Sequence, residues 1–281
     1  SQASGLLTFL EDGSSVKALN PGWAAQTGIM AASLAASGMT GPSSILDGPL
    51  GVMQVFAGKV GHLSEQTATL GQMWHLPDAA YKLYPCCHYI HPFLEATEQL
   101  MAQGLRAEQV KSITVDVAAE QVPLICEPWA RRQAPSSGYD GKWGLAYCIA
   151  LMLQTGKVDV ASFETAPDPA VIALAQQIDW RVMDNANFPQ VFPAHVAVET
   201  TRDASLSATI EDVCGTSKRP VNTNLIEAKF IQNAQRHLPV GACHALLDML
   251  KNISDASDLS ALSAILRLPR KTKPLAFSHV T

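Results

Sequence analysis

The stretch Tyr81-Lys82-Leu83-Tyr84-Pro85-Cys86-Cys87-His88-Tyr89-Ile90-His91-Pro92 sets the local fold in the middle of the chain and holds its densest group of reactive side chains. Pro85 and Pro92 restrict their own backbone and that of the preceding residues, and Pro92 suits the first turn of a helix. We therefore expect a loop that leads into a helix beginning near His91. The helix should bury one face and end at Gly104; the residues of that face are Phe93, Ala96, Thr97 and Leu100.

His91 is a candidate proton acceptor because of its place at the start of this helix. The N-terminus of a helix disfavours an imidazolium, so the ring should be neutral near pH 7, the form that a general base needs. The alternative is that His91 only caps the helix and that Cys86 and Cys87 fill the core.

Composition limits the classes of protein that the chain can belong to. With 281 residues, 47% of them hydrophobic, a chain of this size can bury about 70–75% of its unfolded surface. A net charge of −5 with dispersed Lys and Arg argues against a nucleic-acid partner. The longest apolar windows fall short of the ~20 residues that a membrane span needs, and no signal peptide opens the sequence. Six cysteines without framework spacing predict free thiols, so the chain is expected to be soluble and cytoplasmic.

A helix rich in small residues is predicted near the beginning of the chain. Asn20 is a favoured N-cap, Pro21 suits the first position, and the helix should run over residues 22–37 until Gly38. Small residues recur every fourth position, which predicts an inner helix packed closely against other helices. They are Ala24, Gly28, Ala32 and Ala36.

Lys17 lies just before this helix. A cation beside free helix amides, with Gly22 allowing close approach, would suit a carboxylate or phosphate. The alternative is a solvated loop lysine.

The order of helical and strand patterns predicts the architecture. Strand periodicity occurs at residues 113–117, 196–198 and 206–210, with a turn at 202–205 and predicted helices at 142–154 and 169–178. Helical periodicity returns after Asn222. The fold class is therefore mainly α with an inserted α+β domain. We predict a helical domain in two segments, 1–78 and 219–281, and a smaller α+β lid domain at 79–218.

Several stretches together resemble the MmgE/PrpD family, which includes 2-methylcitrate dehydratase, cis-aconitate decarboxylase and iminodisuccinate epimerase. Their order and spacing, rather than any single motif, carry the resemblance. The stretches are Lys17-Ala18-Leu19-Asn20-Pro21-Gly22-Trp23, Lys82-Leu83-Tyr84-Pro85-Cys86-Cys87 with His91-Pro92, Lys142-Trp143-Gly144 with the helix after it, and Glu227-Ala228-Lys229-Phe230. The chain is similar to roughly the last three fifths of a full-length member. Because it also begins without an initiator Met, a fragment or a processed product is expected.

The resemblance implies an enzyme without cofactor or metal that acts on a small di- or tricarboxylate in a cleft between the two domains, usually as a homodimer. Lys17 and Lys82 match active-site lysines of the family. With His91 they are the predicted catalytic residues, and Gly22, Cys87 and His88 are the predicted substrate-binding residues. Some members have a histidine where Cys87 stands, and some have a tyrosine where this chain offers only Glu120, Gln121 and Val122. The favoured activity is that of a 2-methylcitrate dehydratase-like hydro-lyase, with decarboxylation and epimerisation as alternatives.

Three alternatives of other classes stay open. A metal could bind the cysteines and histidines of the 81–92 stretch, but no second segment supplies paired ligands. Cys86 and Cys87 could be a redox pair, although adjacent cysteines make strained disulfides. Finally, the chain could be a non-catalytic fragment or subunit that completes a helical domain with another chain, or with a helical segment preceding Ser1.

Overall fold

The computed structural model describes residues 6–12, 14–58, 64, 67–184 and 186–267. The α-helices in these ranges are α1 (Phe9–Asp12), α2 (Leu19–Ala36), α3 (Val52–Ala57), α4 (His91–Ala102), α5 (Val122–Ile125), α6 (Trp129–Gln133), α7 (Gly138–Gly141), α8 (Leu145–Thr155), α9 (Pro169–Ala175), α10 (Thr223–Ala234), α11 (Val240–Lys251) and α12 (Ser260–Leu266). The strands are β1 (Val110–Val117), β2 (Ile178–Val182), β3 (Ala194–Thr200) and β4 (Ser205–Ile210). The elements thus follow the predicted order: helical, then mixed, then helical again.

A mixed sheet of strand order β2-β1-β3-β4 forms the centre of the middle region. β3 pairs antiparallel with both β1 and β4, which confirms the three predicted strands and the turn between the last two. β2 pairs parallel with β1 and was missed by the sequence analysis. The predicted helix 169–178 is too long, because α9 ends at Ala175 and Ile178 already belongs to β2. Only Ile178 of this short edge strand is buried, so the strand carries no clear alternation of apolar and polar residues.

The main core lies between one face of the sheet and the helices α4, α8 and α9. The alternating residues Ile113, Val115 and Val117 of β1 are buried toward these helices. α8 buries all of its residues from Leu145 to Leu153. The predicted inner face of α4 is confirmed, since its four residues are all buried and Gly104 follows with a positive φ of 103°. α4 therefore holds the end of the 81–92 stretch against a rigid core.

The structure corrects two predictions about α2. The helix begins at Leu19 as a continuation of the 3₁₀ turn Ser15–Ala18, so Asn20 is not its N-cap. No residue of α2 is buried. The strip of small residues is exposed along its whole length, and no helix among the described residues packs on it. The prediction of an inner helix therefore fails for this structure, because small residues permit close packing but cannot supply the neighbour.

The C-terminal helices form a small core of their own. Asn222 caps α10 as predicted, with its side chain accepting a hydrogen bond from the Asn224 amide at 2.9 Å. Cys243 and Leu246 of α11 are buried against α10 and α12. Arg236, just after the end of α10, forms an ion pair with Glu164 of the middle region. The predicted domain boundaries at 78/79 and 218/219 stay predictions.

None of the helices in the described ranges is both long and apolar enough to cross a membrane. All six cysteines are free thiols.

Candidate functional site

The residues 81–90, which we name the hinge loop, are fixed to three other parts of the chain. The Tyr81 amide donates to the Gly215 carbonyl at 2.9 Å. The Cys87 amide donates to the carbonyl of Lys142, just before α8, at 2.8 Å. The ammonium of Lys229 in α10 donates to the Lys82 carbonyl. Pro85 and a 3₁₀ turn at His88–Ile90 further restrict the backbone of the loop. Together with the three hydrogen bonds they fix the directions of its reactive side chains.

Four lysines from separate segments lie close enough to the hinge loop for the charge of Lys82 to act on the other three; we name Lys17, Lys82, Lys142 and Lys229 the lysine cluster. The Lys82 ammonium donates to the Cys86 carbonyl at 2.9 Å. The Lys17 nitrogen lies 4.1 Å from the centre of the Trp143 ring, a cation–π contact. Burial is the main cause that lowers the pKa of Lys17, Lys142 and Lys229, and the positive charge of Lys82 lowers all three further. Lys82 is therefore at the centre of a region of positive potential.

The lysine cluster has no acidic partner in the part of the chain that the structure describes. None of its four ammonium groups takes part in an ion pair there. Glu164 raises the pKa of Lys142 somewhat, but its carboxylate is paired with Arg236. Like charges brought together without a counterion destabilise a fold, so a site that keeps them is suited to an anionic ligand.

Two imidazoles adjoin the cluster. The His91 ring is 2% exposed and lies 4.8 Å from the His88 ring, measured between centroids. Burial lowers the pKa of His91 to about 3, with the charges of His88 and Lys82 adding to the effect. The nearby Cys86 carbonyl raises the pKa of His91 and so opposes this effect. Neither nitrogen of the His91 ring has a hydrogen-bond partner of normal geometry. His91 is thus neutral in the ligand-free protein, as predicted, although burial rather than the helix terminus is the main cause.

His88 stacks on the Phe192 ring at 5.4 Å, and its buried Nε2 also has no hydrogen-bond partner. Burial, followed by the charge of Lys82, lowers its pKa, while Asp212 raises it. The two imidazoles therefore present unpaired nitrogens next to ammonium groups.

The thiol of Cys87 lies within the field of both predicted lysines. Burial raises its pKa to about 11, and Lys82 and Lys17 oppose that rise. Cys148 of α8 is fully buried, donates a hydrogen bond from its thiol to the Gly141 carbonyl at 3.3 Å, and has a pKa well above its ordinary value because of burial. These thiols are protonated and enclosed, which is typical of packing rather than of a reactive nucleophile. Within the described ranges no group of three or more His, Cys, Asp and Glu side chains is arranged to hold a metal ion.

Most of the predicted site residues thus come together, and two further lysines join them. Lys17, Lys82, Cys87, His88 and His91 are linked by the contacts and fields given above. Gly22 is different: it is exposed in the first turn of α2, a Cβ there would meet no atom within 4 Å, and no contact in the described chain connects it with the cluster.

Lys142 and Lys229 were missed as site residues. Both lie within stretches that carry the family resemblance, which was the available signal. Periodicity could not single them out, because a lysine beside a helix start and one on an amphipathic helix are normally solvated.

The chain belongs to the MmgE/PrpD family. A family model of the MmgE/PrpD C-terminal domain matches residues 84–255, and the model of the MmgE/PrpD N-terminal domain matches residues 1–62. Similar curated proteins are cis-aconitate decarboxylases. The human enzyme is 24% identical over 262 residues, covering 90% of this chain and 53% of its own length. An enzyme from Aspergillus terreus is 24% identical over 291 residues, covering 96% of this chain and 58% of its own. The chain therefore spans little more than half the length of these relatives.

Proposed function

We propose that the chain carries the lysine-rich part of the active site of a polycarboxylate lyase, and that the reaction is loss of CO₂ from an unsaturated tricarboxylate such as cis-aconitate. The observation that carries this proposal is the lysine cluster, four ammonium groups without an acidic partner in the described chain, next to two neutral imidazoles. The names of the relatives support decarboxylation as the reaction.

Carboxylates are the ligands that this charge pattern favours. An ammonium–carboxylate hydrogen bond is charge-assisted, and in a partly desolvated site it stabilises a complex more than it would in water. Lys17 and Lys82 would each bind a carboxylate, while Lys142 is available for a third. The negative charge of the ligand would also offset the mutual repulsion of the lysines, so binding and stability should rise together.

The chemistry needs stabilisation of an electron pair next to a carboxylate. When the carbon–carbon bond to the leaving carboxylate breaks, CO₂ departs and the pair is delocalised over the adjacent double bond and carboxylate; a proton must then be added to carbon. The ammonium groups would stabilise the developing charge, a contribution of ~2.7–4 kcal/mol for one electrostatic partner. His91 is the proposed proton carrier. A bound polyanion would raise the pKa of His91 toward its ordinary range, which lets it hold the proton.

Dehydration of a 2-methylcitrate-like substrate, the activity that the sequence favoured, and epimerisation both develop negative charge at the same position. The lysine cluster serves them equally well, so the proposal prefers decarboxylation because of the relatives alone. Analysis of the product distinguishes the reactions: CO₂ accompanies only decarboxylation.

The exposed strip of α2 bears on the partners of the chain. A contiguous apolar surface of this kind is seldom left open in a soluble monomer. We propose that a second copy of the chain covers it, giving the homodimer that is common in this family, with a preceding helical segment as the alternative. Size-exclusion chromatography at micromolar concentration tests this, and a stable monomer would contradict it.

A chain that binds polycarboxylates but never turns them over would support the non-catalytic alternative.

The experiment for the proposed activity follows CO₂ release and product formation from cis-aconitate by NMR, with the wild-type protein and its Lys82→Met variant. The variant should lower kcat/KM by about a hundredfold or more, which corresponds to ~2.7 kcal/mol of lost stabilisation. Activity should survive dialysis against a chelator and gel filtration, since no cofactor is proposed. Equal turnover by both proteins would remove Lys82 from the mechanism.

A further inference from the structure

A cavity adjoins His91 and is lined partly by acidic side chains. It has a volume of about 200 Å³. The hinge loop, α4 and the segment 213–225 enclose it, and its lining includes Tyr84, His91, Glu95, Glu98, Cys214 and Leu225. Its lining also includes apolar side chains, but a cavity of this size with one imidazole, one phenol and two carboxyl groups has room and partners for several ordered water molecules.

Three of these side chains lie in one row on α4. Residues four and seven positions apart share a helical face, so His91, Glu95 and Glu98 line the same side of the helix over ~10 Å. Tyr84 of the hinge loop spans this row. Its ring meets the His91 ring edge-on at 5.2 Å between centroids, and its hydroxyl lies close enough to the Glu98 carboxyl for the two groups to shift each other's pKa. Tyr84 therefore connects the first and last members of the row.

The two carboxylates have different surroundings. Glu95 is held by both terminal nitrogens of Arg219, one of them at 2.8 Å. Glu98 has no ion pair in the described chain and retains contact with solvent. Desolvation of its carboxyl, with the nearby charge of Glu95, raises the pKa of Glu98, although the Tyr84 hydroxyl opposes the rise. Two carboxylates in such different settings divide naturally into a structural one and one that exchanges protons.

From the cavity and the row of side chains we propose that Glu98, supported by Tyr84 and by water in the cavity, is the proton route between His91 and solvent. A proton on the His91 ring would pass through cavity water to the Glu98 carboxylate and then to bulk water, and the return path would reload His91. The purpose of this route rests on the proposed function, in which His91 carries a proton. Because His91 is only 2% exposed, it needs a path for proton exchange with solvent before it can act again.

The test measures proton exchange in the ligand-free protein, so that it is independent of turnover. The probe is the exchange rate of the His91 ring proton with water, observed by NMR on protein with labelled histidine and assigned by its loss in His91→Gln. We expect exchange to be at least about tenfold slower in Glu98→Gln and in Tyr84→Phe, because a positioned acid–base group is removed or released. A ring proton that exchanges too fast to observe in the wild type and becomes observable in these variants is the same result.

The matched control is Glu108→Gln, which removes one carboxylate from an exposed turn of the same region. It should leave the exchange rate unchanged. The proposal is overturned if both Glu98→Gln and Tyr84→Phe exchange as fast as the wild type, or if the control slows exchange equally. Slow exchange in the variants together with no binding of polycarboxylates would reject the proposed function and leave the proton route in place.

Discussion

Replacing Lys82 by Met should weaken ligand binding strongly while barely changing stability. The side chain keeps most of its length and loses its charge, which removes the centre of the lysine cluster. A charge-assisted hydrogen bond to a carboxylate contributes about 1.5–3 kcal/mol, so the Kd for a tricarboxylate should rise roughly 10- to 150-fold. Tricarballylate, a saturated tricarboxylate that cannot lose CO₂ by the proposed route, is a suitable probe for calorimetry.

Two effects on the free energy of unfolding should nearly cancel in this variant. The hydrogen bond from Lys82 to the Cys86 carbonyl is lost, which costs about 1 kcal/mol. Repulsion of Lys17, Lys142 and Lys229 by the Lys82 charge is also lost, and this stabilises the ligand-free protein. The matched control is Lys111→Met, since Lys111 is exposed on β1 and its ammonium pairs with the exposed Asp203. The reasoning is refuted if Lys82→Met binds tricarballylate as tightly as Lys111→Met does.

Three further predictions concern the supports of the site. Asp140→Asn should destabilise the fold by about 3–5 kcal/mol in denaturant titrations, because it takes the carboxylate charge away from the buried Arg132 guanidinium, which lies 3.9 Å from it. Asp203→Asn at an exposed pair should cost less than about 1 kcal/mol; equal losses would contradict this. Gly215→Ala should lower the free energy of unfolding by more than about 1 kcal/mol, since φ is +105° and a Cβ would lie 2.6 Å from the Tyr81 carbonyl oxygen of the hinge loop. An unchanged melting temperature would contradict this close approach. The pKa of His91 is about 3 in the folded protein and 6.5 in the unfolded chain, so between pH 6.5 and pH 3 the unfolded chain binds more protons. The free energy of unfolding should therefore fall as the pH drops through this window, by on the order of 4–5 kcal/mol. His91→Gln should flatten this slope and exposed His244→Gln should not.

The sequence predicted those elements whose pattern reports burial directly. Alternation identified β1, β3 and β4 because one face of each strand is buried. The apolar face of α4, with Pro92 at its start and Gly104 after its end, predicted the position of that helix. β2 escaped because it lies at the sheet edge and buries only Ile178. The register of such a strand is set by its partner β1, which no local pattern reveals.

For the site, the sequence could identify reactive groups but not all of their neighbours. Lys82 of the hinge loop and His91 at the start of α4 are close in sequence, so their proximity follows from chain connectivity. Lys17 was tied to them only through the family resemblance. Lys142 and Lys229 reach the same place through packing of α8 and α10, and long-range packing of this kind is not encoded in any short stretch. Small-residue spacing suggested an inner helix for α2, yet such spacing cannot say where the partner surface comes from.

The central claim is that Lys17 and Lys82 bind one small polyanion together. A crystal structure of the protein with tricarballylate tests it most directly. We predict that both side-chain nitrogens lie within about 3 Å of oxygens on different carboxylates of the same ligand molecule. A ligand bound elsewhere, or one that contacts only one of these two lysines, would contradict the account.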